Sequence, residues 1–156
     1  MRFLLLLFLC LKLLANNFYL KPYKIPYTNA TIDIPEHWSP CINTPNAVRF
    51  CGKNMQLILD ITTHKHKTAK DLYDQKLVEL KYYGIHIYGN QKVNDALWLD
   101  YEMTRDEHAK IRFFSAFIDL PEQKALSITY TLIGQRISGY TLLRFQKSLL
   151  SLKLGA

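Results

Sequence analysis

Apolar and polar positions alternate most clearly between Ala96 and Gly134, in three runs separated by short polar links: Ala96 to Thr104, Lys110 to Leu120 and Leu126 to Gly134. In the first, Leu97, Leu99, Tyr101 and Met103 alternate with Trp98, Asp100, Glu102 and Thr104. In the third, Leu126, Ile128, Tyr130 and Leu132 alternate with Ser127, Thr129 and Thr131. Successive strand side chains point to opposite faces, so both runs read as strands with one apolar face. The middle run is apolar on both: Ile111, Phe113 and Phe117 fall on one side, and Phe114, Ala116, Ile118 and Leu120 on the other. That pattern requires either a bulge at Phe113-Phe114 or cover over both faces. Together the three runs predict a β-meander.

Thr31 to Pro35 alternates through Ile32 and Ile34 and stops at proline, before Glu36-His37-Trp38, and Met55 to Thr63 alternates as a half-buried strand. After it the period changes. Ala69, Leu72, Tyr73, Leu77, Leu80 and Tyr83 recur at helical spacing, Thr68 and Asp71 have the positions of a capping box, and Gly84 marks the end. Ile85 and Ile87 begin a short strand that ends at the turn signal Gly89-Asn90, with a second turn at Asn94-Asp95. Beyond Gly134, with Ser138 as candidate cap, Leu142, Phe145, Leu149 and Leu150 predict a second helix reaching close to the C-terminus.

Element order and spacing, with Ile32-Asp33-Ile34-Pro35-Glu36-His37-Trp38 at the start and Gln146-Lys147-Ser148-Leu149 in the final helix, resemble the superfamily grouping the photosystem protein PsbP, the Ran-binding Mog protein and the bacterial envelope protein DcrB. The resemblance covers roughly Ala30 to Leu154. It implies an antiparallel sheet flanked by helices, and a non-catalytic protein that docks on, loads or stabilises a larger assembly. The expected fold is therefore α+β: an antiparallel sheet with a central meander and two main flanking helices, built as a PsbP/Mog-like sandwich.

The N-terminus adds an address. Arg2 supplies a positive n-region, and Phe3 to Leu14 is apolar apart from Lys12, ending at Ala15 before Asn16-Asn17. The run is shorter than the roughly 20 residues of a spanning helix, so residues 1–15 read as a signal peptide, with an uncleaved anchor as the alternative. Residues 16–30 hold Tyr19, Pro22, Tyr23, Pro26 and Tyr27 with no helical period and read as an extended arm. Residues 31–156 then form a single domain. The expected location is periplasmic or secreted. Removing Arg2 and Lys12 with the signal leaves 18 Lys plus Arg against 13 Asp plus Glu, a net charge of +5. Such a surplus favours anionic neighbours, although solubility alone accounts for it. No run of five or more like charges and no nucleic-acid-binding signature is present.

Cysteine use agrees with export. With Cys10 removed, Cys41 and Cys51 remain, flanking a stretch of turn formers, and an even number in an oxidising compartment predicts a disulfide.

Candidate chemistry is sparse. His64 and His66 flank Lys65 at a strand end, where alternation puts both imidazoles on one face, as half of a metal site. Asp100 and Glu102 share a face opposite Lys110 and Arg112, which fits cross-strand ion pairs better than an acid/base pair. Nucleophile-elbow, zincin, phosphate-loop and dinucleotide signatures are all missing, so no cofactor is expected. The function read from the sequence is an exported, non-catalytic accessory protein that binds another envelope or secreted protein. A small metal-dependent hydrolase using His64 and His66, and a binder of anionic envelope surfaces, are the alternatives. If nothing in the chain covers the second side of the meander, Trp98, Phe114 and Ile118 form the expected interface.

Overall fold

The computed structural model describes residues 20–26, 28–52, 57–93, 95–106, 109–134 and 147–154. The expected signal segment lies outside them. Seven strands make one antiparallel sheet: β3 (Ser39–Thr44), β4 (Ala47–Cys51), β5 (Leu57–Lys65), β6 (His86–Val93), β7 (Ala96–Asp106), β8 (Ala109–Leu120) and β9 (Lys124–Ile133). Their order is β3-β4-β5-β9-β8-β7-β6. β1 (Leu20–Lys24) and β2 (Thr31–Pro35) form a separate antiparallel hairpin, and α1 (Ala69–Tyr82) links β5 to β6. The architecture is sheet-dominated. Of the two helices expected to flank it, α1 is the long one, and the described part of the second is a turn at residues 147–150.

The two-sided pattern of the middle meander run has its cause in this order. β8 pairs with β7 and β9 without a register shift at Phe113-Phe114, so no bulge switches its phase. It is covered on both faces instead. On the broad face, Phe114, Ala116 and Ile118 join Val48, Phe50, Leu59, Ile61, Ile128 and Tyr130 beneath Ile25, Ile32, Ile34 and Trp38. On the helix face, Phe117 packs with Leu99, Tyr101 and Ala125 against Ala69, Leu72 and Leu80 of α1.

Several elements depart from the sequence pattern for identifiable reasons. Part of the stretch read as an arm is β1, paired along β2 from Leu20↔Pro35 to Lys24↔Thr31. Tyr23 meets the Phe50 ring edge-on at 4.8 Å, and Ile25 is buried. The stretch between the cysteines is the β3–β4 hairpin rather than a loop. β6 runs through Gly89-Asn90 because a bulge between Ile87 and Gly89 absorbs the irregularity, and its hairpin turn comes later, between Val93 and Ala96. The final helix stops at residue 150, and Leu150 and Leu154 are exposed. Beyond it the chain bends back so that Lys153 bridges Thr31, with Thr31 N donating to Lys153 O and Lys153 N to Thr31 O, each at 2.9 Å. Asp33 N donates to Ser151 Oγ at 2.7 Å, and Ser148 Oγ bonds both Tyr130 and the Asp33 carbonyl. This strap clamps β2.

Candidate docking surface

α1 is fixed at both ends by local chemistry. Thr68 Oγ1 accepts from Asp71 N at 3.1 Å and Asp71 Oδ2 accepts from Thr68 N at 2.9 Å, a reciprocal capping box that holds the Asp71 carboxyl below its ordinary pKa. Asp119 Oδ1, at the end of β8, accepts from Ala69 N at 2.6 Å. At the other end Gly84 adopts φ 64°, and Ile85 N reaches back to Leu80 O at 2.9 Å. The helix therefore delivers Tyr82 and Tyr83 to the beginning of β6. The two rings meet edge-on at 5.1 Å, and they are 82% and 68% exposed.

The residues expected to form an interface are placed differently. Phe114 is 4% exposed and Ile118 5%, both within the broad-face core, so neither can meet a partner. The expectation fails there because the β1–β2 layer covers that side. Trp98, opposite Ala116, is half-buried against the same core, and its buried Nε1 has no hydrogen-bond partner among the described residues.

Farther along the same face a charged cluster joins β6, β7 and β8. Arg112 makes a bidentate pair with Asp100, Nε to Oδ1 at 2.8 Å and Nη2 to Oδ2 at 2.7 Å, and Lys110 Nζ lies 3.1 Å from Glu102 Oε1. These are the cross-strand ion pairs that the alternation suggested. Hydrogen bonding to Asp100 raises the Arg112 pKa against the opposing effect of burial, and Glu102 raises that of Lys110. The guanidinium also lies 4.2 Å from the Tyr88 ring centroid and 5.3 Å from that of Phe114. Both carboxylates are occupied by cations, which makes the cluster a clamp between strands. Periodicity could not reveal the part played by Tyr88, because its side chain sits on the β6 bulge.

The histidines do not form the expected half-site. His64 Nε2 is 3.0 Å from Ser127 Oγ, and burial, with Lys67 nearby, pushes its pKa down. His66 is beyond the end of β5, where alternation no longer applies: its φ is 57°, its N donates to Gln123 O at 2.9 Å, and its side chain is exposed. Among the described residues no three His, Cys, Asp or Glu side chains are grouped to hold a metal ion. Cys41 and Cys51 are joined in a disulfide across the β3–β4 hairpin, with Cα atoms 5.9 Å apart. Cys41 occupies the bulge between Pro40 and Ile42 on the edge strand.

No protein-family model matches the chain, and no curated protein matches it. Solved structures do. The Ran-binding protein Mog1p of Saccharomyces cerevisiae superposes with a TM-score of 0.64 at 6% identity, over 87% of this chain and 96% of that one. A mutant form of Mog1 gives 0.63 at 5% identity over the same shares. The cyanobacterial PsbP of Synechocystis gives 0.55 at 11% identity, over 88% of this chain and 94% of that one. The fold is thus the PsbP/Mog-like one. No helix among the described residues is long and apolar enough to cross a membrane.

Proposed function

We propose that the chain is an exported accessory protein that binds another protein of the envelope or the extracellular space and carries out no reaction of its own. The observation that carries binding is the likeness of its fold, over most of both chains, to a protein described as Ran-binding. Export is supported by the Cys41–Cys51 disulfide, since a thiol pair joining the exposed edge strand β3 to β4 would be reduced in an ordinary cytosol. In this reading residues 1–15 are the signal and are removed, the chain works in a periplasm or outside the cell, and its partner meets a surface other than Phe114 and Ile118.

Subcellular fractionation of a cell making the full chain, followed by N-terminal sequencing and chemical cross-linking, tests the proposal. The expected product begins near residue 16, holds no free thiol and cross-links to one protein. A full-length product with free Cys41 and Cys51 in the reducing fraction would overturn export. Failure to cross-link any specific protein would overturn the accessory role.

A further inference from the structure

We propose that the open edge of β6 receives an extended, acidic segment of the protein partner as an eighth strand of the sheet. The proposal deepens the accessory reading and rests on it. β6 terminates the strand order, so among the described residues one row of its backbone N–H and C=O groups faces β7 and the other row faces no strand. The sheet's other edge is guarded. β3 contains Pro40, which lacks an N–H, is bulged at Cys41, and is tied to β4 by the disulfide. β6 has no proline, and beyond its own bulge residues 89–93 pair regularly with β7.

Charge selects the guest. From Lys81 to Asn94 the chain holds Lys81, His86 and Lys92 and no carboxylate. Of the acids on the neighbouring elements, Glu79 is matched by Lys76, Asp100 by Arg112 and Glu102 by Lys110, while the exposed Asp95 lies past the end of β6, in its turn. Lys81, His86 and Lys92 are exposed, and so are Tyr82, Tyr83 and Tyr88, which supply apolar contact on either side of the edge. A second copy of the chain suits the edge poorly, because residues 81–94 of one copy hold no carboxylate to set against Lys81 and Lys92 of the other. An anionic membrane surface would match the charge but could not complete a row of backbone hydrogen bonds. A peptide strand does both.

The test uses the full chain and four probes: a peptide of about ten residues alternating glutamate and valine, its lysine–valine counterpart, the acidic peptide with alternate backbone nitrogens methylated, and phosphatidylglycerol vesicles. The acidic peptide is expected to bind saturably and to slow hydrogen exchange within β6. Methylation or exchange of glutamate for lysine should abolish this, and the exposed double change Lys81→Glu with Lys92→Glu should weaken it about ten-fold. Protection elsewhere, binding that survives methylation, or binding to vesicles and not to peptide would each overturn the proposal. The methylated peptide needs no variant, so the test survives a double variant that fails to fold. A cross-linked partner that binds the folded double variant unchanged would overturn the edge site and leave the accessory role standing. If no partner is found, the accessory role fails instead.

Discussion

The two faces of the seven-stranded sheet are closed by different means. On the broad face the cover is the β1–β2 hairpin, Trp38 and the strap at residues 147–153, assembled from both ends of the domain. On the helix face it is one local element, α1, entered directly from β5 and left directly into β6. The broad face is the larger and drier of the two. Beside α1 the helix face carries buried and half-buried hydroxyl contacts as well as an ion pair, His64 with Ser127, Ser115 with Thr129 at 2.9 Å, and Arg49 with Asp60 at 2.6 Å, whereas the Asp100–Arg112 and Glu102–Lys110 pairs of the broad face lie beyond its core. The lesson is that β8, whose sequence is apolar on both sides, is the place where two independently built cores meet back to back.

Truncation on each face gives the strongest probe of that contrast. Phe50→Ala, at a fully buried position between Tyr23 and the sheet, is expected to cost about 3–5 kcal/mol, and Leu80→Ala toward the lower end of about 2–5 kcal/mol, by urea unfolding. Equal costs, or the reverse order, would mean that the helix face carries as much of the fold as the broad one. A smaller effect is expected from the edge beside the broad core. Cys41→Ser with Cys51→Ser opens a loop with a sequence separation of 10 and should lower stability by about 2–3 kcal/mol without loss of the fold. Unfolding of the double variant at ordinary temperature would show the hairpin to be essential to the broad face.

The smallest effect distinguishes the faces by pH. The folded state lowers the pKa of His64, so the unfolded chain binds the proton more readily. The stability contribution of this group is complete above the ordinary histidine value of 6.5 and is lost as pH falls through it toward the folded pKa. His37, next to the buried Trp38 of the broad-face cover, is exposed. Stability measured between pH 7.5 and 5.5 should therefore fall more in the parent chain than in His64→Gln, and identical slopes would remove His64 from the account.

How far these features can be read from sequence follows from how each element is buried. α1 is legible to the residue at its start, because capping chemistry is local, and the meander is legible because alternation survives wherever a face is covered. β3 is not, since all six of its residues are exposed and it therefore has no apolar phase. β1 is hidden by Pro22, which an edge strand tolerates, and β6 by a bulge that places Gly89-Asn90 inside the strand. The ion pairs of the candidate surface can be foreseen from shared strand faces. The Tyr88–Arg112 contact cannot, because the bulge removes the register on which such reasoning depends. Phe114 and Ile118 look like interface residues in the sequence because it announces two apolar faces without saying what covers them.

The strap between the C-terminal segment and β2 also sets an order of events. Asp33 N and Ser151 Oγ are 118 positions apart, so the hairpin over the broad face has its last hydrogen bonds only when the segment around Ser151 is available to it. A growing chain can form α1 and the meander from nearby sequence, but it must carry an unfinished broad face until then. Arrival of residues 148–153 at β2, rather than formation of any one element, is the moment at which this domain closes.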